Sequence, residues 1–155
     1  MKCGAADIQG YSEALAIKKV LFLCTGNSCR SQMAEGWVRH LHGEALEAYS
    51  AGTAPHEIDS RAVQVMFEAG VDIAGHTSNH VDEYTNIPFD LVITVCDSAR
   101  ESCPVFPGKG KKVHHSFDDP PFLARRARDE EEALAPYRRV RDEIGDFVDG
   151  IKDLL

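Results

Sequence analysis

Residues 20–31 read Val20-Leu21-Phe22-Leu23-Cys24-Thr25-Gly26-Asn27-Ser28-Cys29-Arg30-Ser31. Four consecutive apolar residues suit a strand buried on both faces of a parallel sheet. From Ser31 onward the apolar side chains fall at Met33, Ala34, Trp37, Val38 and Leu41, which is helical spacing. The stretch therefore reads as strand, loop and helix, with a thiol opening the loop and a guanidinium six positions on.

That context sets the chemistry. Cysteine is a nucleophile as its thiolate, and its pKa falls from about 8.5 to roughly 3.5–7.5 beside a helix N-terminus and a cation. Cys24 is expected to have both, in the dipole of the following helix and in Arg30. Thr25, Gly26, Asn27, Ser28 and Cys29 are expected to wrap a tetrahedral oxyanion with their amides, while Arg30 grips two of its oxygens as a fork. Gly26 and Asn27 tolerate the positive φ such a loop needs, and Ser31 is placed to donate to the thiolate. The Gly-Lys-Ser/Thr ending of a nucleotide-binding loop is missing, so ATP is not implied.

Outward from the loop, Ala45–Ser50, Asp90–Val95 and Lys111–Phe117 read as further strands. Ser60–Ala69 reads as a helix stopped by Gly70. Tyr137, Val140, Ile144, Phe147, Ile151 and Leu154 form the stripe of a last helix, with Pro136 suited to its first turn. Strands alternating with helices give a single α/β domain over residues 19–155, a three-layer α/β/α fold with a four-stranded parallel sheet. Residues 1–18 form a weakly patterned tail that includes Cys3. Ligands of such sheets bind at the carboxyl ends of the strands. Cys24, Cys96 and Phe117-Asp118-Asp119 all follow strand ends, so they are expected to converge. Asp119 is the expected proton donor to a leaving oxygen, with Asp118 as its rival and a plain Asp-Pro turn as the alternative. Trp37 and Phe67 read as core. Asp97–Ser102 is polar and reads as a mobile loop. His114 and His115 alternate along a strand and so face opposite ways.

Composition narrows the class. The chain has 155 residues, 43% hydrophobic and 27% charged, with a formal net charge of −8. An acidic surface argues against nucleic acid and anionic membranes as partners. No apolar run approaches the length of a membrane span, and residues 1–18 lack a signal-peptide core. The reading is a cytoplasmic monomer. Five cysteines, an odd number, argue against a disulfide framework. The Cys96–Cys103 spacing is too long for a zinc ligand pair.

The stretch from Cys24 through Arg30-Ser31-Gln32-Met33-Ala34-Glu35-Gly36-Trp37 resembles the phosphate loop of thioredoxin-coupled arsenate reductases, which share the low-molecular-weight protein tyrosine phosphatase fold. The resemblance continues through Tyr49–Gly52, His76–Ser78, Asp90–Cys96, Cys103-Pro104, Phe117–Pro120 and Arg139–Ile144, spanning residues 19–155. It implies reduction of arsenate to arsenite, with thioredoxin as partner. Cys24 attacks arsenic, Cys96 then attacks Cys24, and Cys103 attacks Cys96. The resulting disulfide passes to thioredoxin. Ester hydrolysis needs a thiolate, an arginine and an acid, and has no use for Cys96 or Cys103; two-electron reduction needs a pair of thiols. The resemblance also implies a potassium site at Asn27, Glu35, Ser50 and Thr77, with Asn79 where an aspartate is usual. An equally good reading has Asn27 and Glu35 simply holding the loop. The runner-up function is a tyrosine phosphatase acting on aryl phosphates, against which stand Gln32 and the Pro121-Phe122 that follows Asp-Pro. A third is an oxyanion-binding or redox-sensing protein without turnover.

Overall fold

The computed structural model describes residues 16–155; Cys3 and most of the tail lie outside them. Four parallel strands, β1 (Lys18–Cys24), β2 (Leu46–Gly52), β3 (Leu91–Thr94) and β4 (Lys111–His114), form one sheet in the order β2-β1-β3-β4. Every residue from Val20 to Cys24 and from Leu91 to Thr94 is buried. Helices therefore cover both faces of the sheet's centre, as the unbroken apolar runs require.

The helices are α1 (Arg30–His42), α2 (Ser60–Glu68), α3 (Asp97–Glu101), α4 (Pro120–Ala124) and α5 (Glu130–Asp149). Helices α1, α2 and α5 are pinned together by side chain to main chain bonds. Trp37 Nε1 donates to Arg141 O at 3.0 Å, and Arg141 Nη1 donates to Val65 O at 2.9 Å. Tyr137 is buried, and its hydroxyl donates to Asp59 Oδ2 at 2.6 Å. Asp59 in turn caps α2 through the amides of Arg61 and Ala62.

Several sequence expectations change. The last helix begins at Glu130, because Asp129 accepts from the Glu132 amide and three glutamates meet the helix dipole. Pro136 consequently lies inside the helix and not in its first turn. The third and fourth strands end sooner than expected, at Thr94 and His114. Asp97–Glu101 is a short helix where a loop was expected. Phe67 is 70% exposed; α2 buries Ala62, Val65 and Met66 instead, and Phe67 lies off that stripe.

The strand order places the site. The chain leaves β1 towards β2, then returns past β1 to β3, so the neighbouring ends of β1 and β3 are a topological switch point. Leu23 pairs with Thr94, and Thr94 with His114. Cys24 and Cys96 therefore leave adjacent strands side by side.

Candidate active site

The loop Cys24–Arg30 is held open by its own carbonyls. Those of Thr25, Gly26 and Ser28 accept from the amides of Ala54, His56 and Asp59 at 2.8–2.9 Å. A peptide's N–H lies opposite its C=O, so carbonyls bonded outward leave the neighbouring amides facing the loop's interior. Asn27 takes the positive φ, 48°, and Gly26 does not. A Cβ at Gly26 would meet the ring of His56 at 2.5 Å, an exposed side chain that would have to swing aside. At Gly52 a Cβ would meet Thr25 O at 2.4 Å. The Asn27 side chain ties the loop on both sides, donating to Ser31 Oγ at 2.9 Å and accepting from the Asn79 amide at 2.8 Å. Ser31 is fully buried, and its hydroxyl accepts from Asn27 and makes no hydrogen bond to the Cys24 sulfur.

Arg30 completes the cradle. Nη1 donates to Phe117 O at 2.9 Å, and Nη2 lies 3.8 Å from Asp119 Oδ1. Its Nε is the single buried side-chain nitrogen or oxygen without a partner among the described residues. A buried donor left unpaired costs about 1–3 kcal/mol, so this N–H is a donor suited to an oxyanion bound in the loop. The structure also separates the rival acids. Asp119 lines the cavity over the loop with Cys24, Arg30, His56 and Ser98. Asp118 is turned away and accepts from Arg139 Nη2 at 2.9 Å.

The sulfurs differ from expectation. Cys24 and Cys96 leave the paired strands β1 and β3 beside each other, and Thr25 Oγ1 lies 3.4 Å from Cys96 Sγ. The neighbouring Cys24 sulfur, aided by Thr25, the Ala99 amide and Arg30, holds the Cys96 thiol down to about 5. The neighbouring Cys96, together with burial, pushes Cys24 well above the ordinary thiol range, against the pull of Arg30. Arg30 and the Gly26 amide do pull the Cys24 thiol down, but burial and the neighbouring Cys96, which the linear motif does not show, outweigh them. Burial raises Cys29 as well. Cys103 is half-buried, away from the cavity, with Sγ 3.5 Å from Pro104 O and its pKa raised by burial.

Beneath the loop, Gln32 and His76 are supports that sequence reasoning passed over. Gln32 is fully buried; its Nε2 donates to Asn27 O and Thr77 O, both at 2.9 Å, and its Oε1 meets His76 Nδ1 at 3.0 Å. The signal was a polar residue in the first turn of a helix that buries its neighbours. Glu35, Ser50, Asn27 and Thr77 come together here, but their oxygens are committed. Glu35 Oε1 accepts from Ser50 at 2.8 Å, while Oε2 faces Arg39 at 3.1 Å and His76 at 3.2 Å. Thr77 donates to Asn79 Oδ1 at 2.8 Å. Burial holds His76 below the ordinary imidazole value, so Arg39 is the counter-charge of Glu35.

Comparison with known proteins agrees with this geometry. The profile of the low-molecular-weight phosphotyrosine protein phosphatase family matches residues 19–155. The chain is 48% identical to the arsenate reductase of Bacillus subtilis over 128 residues, 83% of this chain and 90% of the relative. Among solved structures, an arsenate reductase in its oxidised state superposes with a TM-score of 0.74 at 27% identity, covering 89% of this chain and 99% of the other. A low-molecular-weight protein tyrosine phosphatase from T. tengcongensis gives 0.70 at 28% identity with the same coverage.

Proposed function

The chain belongs to the low-molecular-weight phosphotyrosine protein phosphatase family, and within it we propose that this protein reduces arsenate to arsenite. Phosphatase and reductase share the backbone, so the fold does not choose between them. What carries the reading is the second thiol, Cys96, brought beside Cys24 by the adjacent ends of β1 and β3 and with its pKa lowered to about 5. Hydrolysis has no role for it.

Arsenate sits on the inward amides with its charge met by Arg30, whose free Nε becomes paired. Cys24 passes its proton to an oxygen of the bound arsenate and bonds to arsenic. An arsenate hydroxyl leaves as water with a proton from Asp119. The Cys96 thiolate then attacks Cys24 Sγ. The sulfur–arsenic bond breaks, its electron pair stays on arsenic, and As(V) departs as As(III). Cys103 loses its proton and attacks Cys96, which returns Cys24 as a thiolate and leaves a Cys96–Cys103 disulfide. A dithiol protein of the thioredoxin class reduces that disulfide. Asp118, tied to Arg139, has no part. Under the loop, Arg39 supplies a positive charge at Glu35, the position the resemblance gives to a potassium ion.

The decisive measurement is a thiol count after one equivalent of arsenate, without reductant. Two thiols per chain should vanish, and mass mapping should link Cys96 to Cys103. No thiol loss combined with rapid aryl-phosphate hydrolysis would establish the phosphatase instead; tight arsenate binding with neither would establish a sensor.

A further inference from the structure

A disulfide needs Cα atoms within about 7 Å. At 1.5 Å rise per residue, seven residues passing through a helix separate Cys96 from Cys103 by roughly 10 Å. Helix α3 must therefore open before the last thiol can act, and what holds α3 closed sets when it acts. Within α3 itself little does. Of its five residues only Ala99 is buried, and the main-chain bonds Arg100 N to Cys96 O and Ser102 N to Ser98 O are long, at 3.2 Å.

The stronger hold comes from β4. Residues two apart on a strand share a face. Val113 and His115 point one way, with His115 stacked against Phe117 and Phe147 at 4.5 Å between centroids. Lys112 and His114 point the other way, to the two ends of the relay segment. His114 Nδ1 pairs with Thr94 Oγ1 at 2.7 Å, and His114 Nε2 meets Asp97 Oδ1 at 2.9 Å. Asp97 follows Cys96 directly. Lys112 Nζ donates to Pro104 O at 2.8 Å, next to Cys103. The Thr94 bond fixes the imidazole before Asp97 meets it, so the tie is preorganised.

We propose that His114 is a positioning residue of the relay: its bond to Asp97 keeps α3 closed while Cys96 faces Cys24, and must break for Cys103 to reach Cys96. This rests on the reductase reading above. The step governed is attack of the Cys103 sulfur, its proton lost to water, on Cys96 Sγ, with the bonding pair of the Cys24–Cys96 disulfide returning to Cys24.

The test follows both disulfides after reduced protein is mixed with one equivalent of arsenate, by rapid quench, alkylation and mass mapping. In Asp97→Ala and His114→Ala, conversion of Cys24–Cys96 to Cys96–Cys103 should run about twofold to fivefold faster, the scale of one exposed polar contact. Arsenite release should stay within twofold. The double variant should match the singles, and His114→Gln, which keeps a donor to Asp97, should return towards the parent rate. Lys112 is left in place because its charge also lowers the Cys103 thiol. Unchanged conversion in Asp97→Ala, whose side chain is 83% exposed, would overturn the proposal, as would His114→Gln behaving like His114→Ala. If the parent protein forms no disulfide with arsenate, it is the reductase reading that fails.

Discussion

The loop around Cys24 and the segment from Cys96 to Cys103 both carry nucleophilic sulfur, yet they are held in opposite ways. The loop is locked by main-chain bonds to residues 54–59, by Asn27 and by fully buried Gln32. The segment is one short helix with a single buried side chain and two side-chain ties to an edge strand. The difference follows from the chemistry each performs. Amides that must meet developing charge cannot reorganise at the moment of reaction. A thiol that must travel several ångströms to a disulfide needs a region whose opening is cheap.

The largest expected effect is on the locked side. Arg30→Lys keeps the charge but loses the planar fork and the Nε donor, so arsenate-dependent turnover should fall about 100- to 1000-fold. The mobile side should be untouched, with diamide still oxidising Cys96 and Cys103 to a disulfide at the parent rate. If both fall together, the two regions are one cooperative unit and the contrast is false.

Next in size is the acid. Asp119→Asn should lower the rate of arsenite release about 100-fold, the low end for one proton donor, while Asp118→Asn should change it less than threefold because that carboxylate is turned towards Arg139. Both are read by single-turnover arsenite release. A large effect at Asp118 would mean that the 117–120 turn swings on substrate binding and belongs with the mobile region.

The same division shows in what the sequence disclosed. Val20–Leu23 followed by Cys24 and Arg30 was legible as strand, loop and helix because burial on both faces and helical spacing are local signals. The meeting of Cys24 with Cys96 was legible as convergence at strand ends and through the resemblance; the effect of one thiol on the other's pKa needed the β1–β3 adjacency. Helix α3 was missed because four exposed polar residues around one alanine carry no apolar period, and Phe67 was read as core although it lies off the stripe of Ala62, Val65 and Met66 that α2 buries. Gln32 and His114 act through partners 44 and 17–20 positions away, a distance at which spacing says nothing.

The smallest expected effect concerns the underside of the loop. A buried carboxylate such as Glu35, 7% exposed, needs a cation. A free potassium ion would have to displace Arg39, which lies i+4 on α1 at 3.1 Å and so is present at a high effective concentration. Exchanging potassium for tetramethylammonium at constant ionic strength should therefore change kcat/KM for arsenate by less than twofold. Arg39→Gln sharpens the point. Burial keeps His76 neutral at pH 7, so this variant leaves Glu35 without a full counter-charge, and potassium should then stimulate turnover severalfold. Strong stimulation of the parent protein by potassium would show that Arg39 yields its place. The rigidity of the loop would then be borrowed from solution and not written into α1.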